Sequence, residues 1–221
     1  MIVSVNGIDL YYETVGSGRP LIMVHGNGED HTIFDKAAEV LKESFICYLV
    51  DSRGHGKSTA VETFHYEDMA SDMICLMEQL DLRDVVFYGF SDGGIVGLLT
   101  ASRSDRIASL IVSGANISTK GVKLRWRVLF GLMYVFKRDP LLELMMREPD
   151  ISDEILRNIS ARTLVLAGSK DLIVEKETRH IASVIPGAEL RILEGENHGS
   201  YIIHSERIGE IIRAFVAGEV E

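Results

Sequence analysis

Cysteine is scarce in this chain of 221 residues: Cys47 and Cys75 are the only two. Cys47 sits in an apolar strand-like run and Cys75 in a helix-like run, so both read as core thiols. That excludes a disulfide framework and leads us to expect a reducing, cytoplasmic setting. Positive charge is also in deficit, with 23 Lys and Arg against 33 Asp and Glu and a net charge of −10. A surface of that sign repels phosphate, so no nucleic-acid partner is expected. No apolar run approaches membrane-spanning length. The opening MIVSVNGIDLYYETVG has no basic segment followed by an apolar one, so neither a signal peptide nor membrane insertion is expected. The seven histidines show no H-E-x-x-H or clustered ligand spacing, which argues against a metal site. No linker-like segment divides the chain, and its length fits one large domain.

What is present is a rhythm. Ile2–Val5 and Ile8–Glu13 alternate around Asn6-Gly7 as a hairpin does. After it, short apolar runs alternate with helical patterns. LIMVHG, FICYLVD, VVFY, ASLIVSG, TLVLAG and LRIL read as strands. Helical spacing covers His31–Lys42, the run YEDMASDMICLMEQL, Gly94–Ala101, Lys176–Val184 and Ser205–Val216. Strands apolar throughout, each followed by a helix, predict an α/β fold with a mostly parallel twisted sheet of about eight strands, covered on both faces. Residues 119–160 break the rhythm and read as helical. We expect 1–118 and 161–221 to form the core and 119–160 a small helical cap.

In such sheets ligands bind beyond the carboxyl ends of the strands. Five post-strand segments there are rich in Gly, Ser, His and Asp: HGNG, DSRGHGKS, GFSDGG, GSKD and EGENHG. Gly89-Phe90-Ser91-Asp92-Gly93 fits G-x-S-x-G between a strand and a helix, the setting of a nucleophile elbow. A serine hydroxyl needs a base, and His198 follows the last strand in a short loop. Of the other histidines, only His25 and His55 occupy post-strand loops; His31, His65, His180 and His204 sit on or beside helical runs. Asp171, just beyond a strand end, is the candidate orienting acid. Glu194 and Glu196 are rivals, too close to His198 along the chain to reach its far nitrogen. The order Ser91, Asp171, His198 is the order of an α/β-hydrolase triad. A developing oxyanion needs preorganised N–H donors, for which the backbone amides of Asn27 and Asp92 are the candidates. GHGKS mimics the end of a P-loop, but Asp51 stands where that motif needs glycine.

The segments VHGNG, DSRGHGKS, GFSDGG, GSKD and ENHG, in this order over nearly the whole chain, resemble the α/β-hydrolase superfamily, in particular its small bacterial esterase, proline iminopeptidase and haloperoxidase-like branch. The resemblance implies Ser91 as nucleophile, Asp171 as acid, His198 as base, and the Asn27 and Asp92 amides as oxyanion hole. It implies a serine hydrolase of the carboxylesterase type acting on a small or medium acyl substrate through an acyl-enzyme, with no cofactor. An aminopeptidase or amidase-type hydrolase, and a hydrolase-fold ligand sensor with little turnover, are the alternatives. It assigns DSRGHGKS to a structural loop, so Asp51, Arg53 and His55 are not catalytic candidates. Asp92 stands where many relatives carry an apolar or amide side chain, and we expect its carboxylate to point away from the site. A cap of about 40 residues is short, compatible with a monomer or with a homodimer that completes the pocket.

Overall fold

The computed structural model describes residues 1–219. Its strands are β1 (Ile2–Val5), β2 (Ile8–Gly16), β3 (Arg19–Val24), β4 (Phe45–Val50), β5 (Val85–Phe90), β6 (Ile107–Ser113), β7 (Arg162–Gly168) and β8 (Glu189–Leu193). They form one sheet of eight in the order β1-β2-β4-β3-β5-β6-β7-β8. The two pairings of β2 are antiparallel and the remainder parallel. Asn6 and Gly7, both with positive φ, make the tight turn that launches β2.

Helices α1 (Asp35–Leu41), α2 (Tyr66–Gln79), α3 (Asp92–Ala101), α7 (Glu175–Val184) and α8 (Arg207–Ala217) cover the sheet. Successive residues of a strand face opposite sides. Along β5, all of whose residues are buried, Val85 and Phe87 enter one core with Met73, Leu76 and Ile95. Val86, Tyr88 and Phe90 enter the other with Phe34, Leu41, Ile212 and Phe215. Burial on both faces explains why the sequence of this strand carries no alternation. The short run before α1 forms a 3-10 turn over His31–Phe34, capped by the Asp30 carboxylate on the Thr32 amide.

Between β6 and β7 lie α4 (Leu124–Lys137), α5 (Pro140–Arg147) and α6 (Asp153–Arg157). α5 starts where Asp139 accepts from the Leu141 amide at 2.9 Å, with Pro140 in the first helical turn. It turns Leu142 and Leu144 inward. α4 buries no residue fully. Among the described residues, no helix is long and apolar enough to cross a membrane.

Candidate active site

β5 and α3 meet at Ser91, whose φ of 53° and ψ of −115° place a non-glycine residue in a sparsely populated conformation. The bend is closed by its neighbours. A Cβ on Gly89 would lie 2.1 Å from the Gly93 carbonyl oxygen, and one on Gly93 would lie 2.1 Å from that of Val24. No side chain fits at either position. The Ser91 amide donates to the Ser113 carbonyl at 2.8 Å, and the Gly94 and Ile95 amides return to the Ser91 carbonyl. Surrounding structure therefore holds the strained residue in place.

The loops after β7 and β8 converge on it. His198 Nε2 lies 3.0 Å from Ser91 Oγ, and His198 Nδ1 lies 2.7 Å from Asp171 Oδ1. The second contact puts the ring proton on Nδ1, which leaves Nε2 free to accept from the hydroxyl. The two loops are tied together by the Lys170 amide donating to the Glu196 carbonyl and the Ser169 amide to that of Leu193. Asp171 Oδ1 also accepts from the Ile173 amide at 2.9 Å. Burial opposes its charge, but the hydrogen bond and positive potential of His198, with that amide, hold its carboxyl below the ordinary value. The rival acids are elsewhere engaged: Glu196 meets Ser200 and Arg207, and Glu194 is exposed.

The loop after β3 approaches from the other side. Gly26 donates to Glu29 Oε2 at 2.9 Å and Gly28 to His55 Nε2 at 3.1 Å. The amide of Asn27, between them, has no acceptor among the described residues. The amide of Asp92 lies in the first turn of α3, where a helix supplies no acceptor. Two N–H groups therefore remain uncommitted on the residues expected to supply the oxyanion donors.

The Asp92 carboxylate is buried and accepts from Asn27 Nδ2 at 2.9 Å, and the residue is among those lining the cavity beside Ser91. Burial raises its pKa against the opposing hydrogen bonds of Asn27 and Tyr66. Asn27 offers a donor at the spot where an isolated carboxylate would otherwise be desolvated.

The cavity measures about 230 Å³. Ser91 and His198 lie on its floor, and Phe130, Leu142, Met145 and Ile173 form an apolar side. Glu29, Asp92 and Glu148 are its acidic lining residues, and among the described residues no Lys or Arg lines it. Burial raises the pKa of Glu29, opposed by the Gly26 amide.

Five contributors were not singled out from sequence: Gly114, Lys123, Glu29, Tyr66 and Glu148. Gly114, with φ of 62°, leaves room for the imidazole, since a Cβ there would lie 2.7 Å from His198 Cε1. Its position at the end of the run ASLIVSG was a usable signal. Lys123 Nζ donates to the Asp171 carbonyl. Nothing in the local pattern of Lys123, Glu29, Tyr66 or Glu148 sets them apart from ordinary surface or helix-end residues.

DSRGHGKS is a structural loop. Asp51 accepts from the amides of His31 and Lys57 and pairs with His31 Nδ1 at 2.7 Å. Asp30, His31 and Asp51 are spaced as metal ligands would be, yet both Asp51 oxygens and Asp30 Oδ1 already serve loop hydrogen bonds. His25 donates from Nδ1 to the Gly26 carbonyl and accepts at Nε2 from the Ser52 amide. Burial lowers its pKa to about 4. His55 donates from Nδ1 to the Arg53 carbonyl while holding Gly28. Both imidazoles therefore brace the Asn27 loop and touch no nucleophile.

An elbow, a post-strand acid and a post-strand histidine on a mostly parallel sheet are accompanied by a direct match: residues 19–134 fit the family model for the alpha/beta hydrolase fold. The chain belongs to the alpha/beta hydrolase family. This hydrolase is 26% identical to the AB hydrolase superfamily protein YisY of Bacillus subtilis, over 94% of its own length and 95% of that protein. It is 24% identical to the serine hydrolase BPHL of Mus musculus, over 97% of itself and 85% of that protein. Among solved structures, a thermophilic esterase from Thermogutta terrifontis shares the fold at a TM-score of 0.80 and 24% identity, covering 99% of each chain.

Proposed function

We propose that this hydrolase cleaves a small or medium carboxylic ester by serine catalysis. The observation that carries the reading is the unbroken hydrogen-bond chain from Ser91 Oγ through His198 to Asp171 Oδ1. Ser91 Oγ attacks the carbonyl carbon as His198 Nε2 takes its proton. The carbonyl oxygen gains the electron pair and faces the Asn27 and Asp92 amides. Collapse breaks the bond to the alcohol, which leaves with the proton from His198, and an acyl-serine remains. Water, activated by the same imidazole, then releases the acid and restores Ser91. Asp171 keeps the ring oriented and stabilises its charged form without taking the proton. The helix α3 begins at the site of developing negative charge, which its dipole favours. The similar proteins, a serine hydrolase and an esterase among them, support a reading of this kind.

The modest cavity fits a short acyl or aryl group on its apolar side. Aminoacyl esters or amides are a second reading, favoured by one feature. The carboxylates of Glu29, Asp92 and Glu148, unmatched by a cation in the lining, suit a substrate with a positive charge and oppose an anionic one.

The test is a panel of p-nitrophenyl esters and aminoacyl esters with Ser91→Ala as control. Hydrolysis is expected to fall by roughly three orders of magnitude or more, with the melting temperature unchanged because Ser91 sits at a strained position and contributes little packing. Retention of most of the activity would remove Ser91 from the mechanism. A preference for aminoacyl over simple acyl esters would select the second reading.

A further inference from the structure

α4 is apolar on both sides, an arrangement that belongs to helices covered all round. Its inner side is covered: Trp126 and Phe130 stack on each other, and Phe130 reaches the catalytic cavity. Its outer side is bare. Leu124, Val128, Leu132 and Phe136, at intervals of four, form a stripe with Val135 beside it, and Phe136 is 85% exposed. Scattered exposed apolar residues are ordinary, but a contiguous stripe on one helix marks a surface that meets something.

Charge says what it meets. From Thr119 to Arg138 there are six Lys and Arg and no Asp or Glu, in a chain of net charge −10. Arg125, Arg127, Lys137 and Arg138 form no salt bridge among the described residues, whereas Arg19, Arg53, Arg103 and Arg162 all meet carboxylates. Arg125 and Arg127 occupy the first turns of α4, where a helix dipole favours acids, so helix stability does not explain them. Exposed apolar residues along the outward side, with unpaired cations at both ends, suit a helix resting on an anionic lipid surface, the apolar stripe toward the acyl chains and the cations on phosphates. A second copy suits the stripe less well, because two antiparallel α4 helices would set cation against cation.

We propose that α4 docks this hydrolase onto anionic phospholipid bilayers, with the stripe at the headgroup–acyl boundary and Arg125, Arg127, Lys137 and Arg138 on headgroup phosphates. No helix among the described residues is long and apolar enough to span the bilayer. The acidic remainder of the molecule is repelled by the same surface, so the cap leads the approach. The other side of α4 lines the catalytic cavity, which docking would bring close to the lipid surface.

Vesicle flotation with the full chain tests this. Phosphatidylcholine vesicles containing phosphatidylglycerol are expected to carry the protein upward at low salt and release it at high salt; phosphatidylcholine alone is expected to carry little. Leu132→Ser with Phe136→Ser, and separately Arg125→Glu with Lys137→Glu, are each expected to cut the bound fraction about tenfold. The melting temperature and the turnover of a soluble ester are expected to hold, since none of these side chains lines the cavity. Ser91→Ala is expected to bind like the parent, so docking and catalysis fail or stand separately. No binding to anionic vesicles, equal binding to neutral ones, or undiminished binding by both pairs overturns the proposal. A concentration-dependent dimer abolished by the Leu132/Phe136 pair, without vesicle binding, overturns it in favour of a second copy.

Discussion

At the scale of single residues, the site depends on what is missing from certain side chains. Gly114 is the sharpest case: its positive φ is costly for other residues, and the space above its Cα is filled by the His198 ring. Gly114→Ala is expected to push the imidazole off the line joining Ser91 and Asp171. Displacement of that order costs about 10- to 100-fold in kcat. Stability is expected to drop by about 1–2 kcal/mol from the left-handed conformation. Steady-state kinetics with a soluble ester and a thermal melt check both; an unchanged kcat would mean the ring has freedom the contacts do not suggest. Asp92 teaches a related lesson. The position of Asp92 directly after Ser91 fixes where its amide lies, but its carboxylate is held by Asn27, 65 positions away.

At the scale of elements, catalytic geometry is a matter of loops braced from behind. The Asn27 loop is held at Gly28 by His55 Nε2, and His55 is itself fixed by the Arg53 carbonyl and by tilted contact with the His25 ring at 5.0 Å. In the proposed mechanism His55 is a positioning residue, since it holds the Gly28 amide and touches no reacting atom. His55→Ala leaves the Gly28 amide without its partner and frees the loop that presents Asn27. The expected result is a fall in kcat of about tenfold with KM nearly constant, because an oxyanion donor acts on the transition state more than on the bound ester. A rise in KM at constant kcat would place His55 in substrate binding instead. Two of the helices between β6 and β7 show the same dependence on neighbours: α5 is fixed by its Asp139 N-cap and two buried leucines, whereas α4 buries no residue fully.

At the scale of the whole molecule, buried titratable groups make stability depend on pH, in opposing directions. The folded state holds His25 neutral, with its pKa lowered to about 4. In the unfolded chain an imidazole takes its proton near pH ~6.5. The contribution of His25 is therefore complete above that value and is lost as pH falls toward 4, by roughly 3 kcal/mol in all. Asp171, lowered, adds a loss at still lower pH as its charge is neutralised. Glu29 and Asp92, raised by burial, act in the opposite direction, because protonation relieves the penalty of burying their charge. Comparing the parent with His25→Gln isolates one contribution. The variant is expected to melt lower at neutral pH and to show a shallower decline in stability between about pH 6.5 and pH 4. Parallel pH profiles for the two proteins would show that His25 is not held neutral.

The sequence was most legible where one residue type has few alternative uses. Glycine pairs two positions from Ser91, apolar runs without alternation, and acids or histidines immediately after such runs pointed to the strands of a mostly parallel sheet and to Ser91, Asp171 and His198 as candidates. Glu29, Lys123, Tyr66 and Glu148 were illegible because a carboxylate or cation in a loop has many uses, and only its neighbours choose among them.

Two levels of determination separate here. Chain chemistry alone indicated the covered, mostly parallel sheet and the glycine-flanked bend at Ser91, since backbone sterics and hydrophobic periodicity act within a few residues. Tertiary structure alone decided that Asp92 turns toward Asn27, that Gly114 makes room for an imidazole, and that one side of α4 stays bare. Each of those is a matter of what lies across a gap of a few ångströms between segments far apart in the chain, and local pattern carries no record of it.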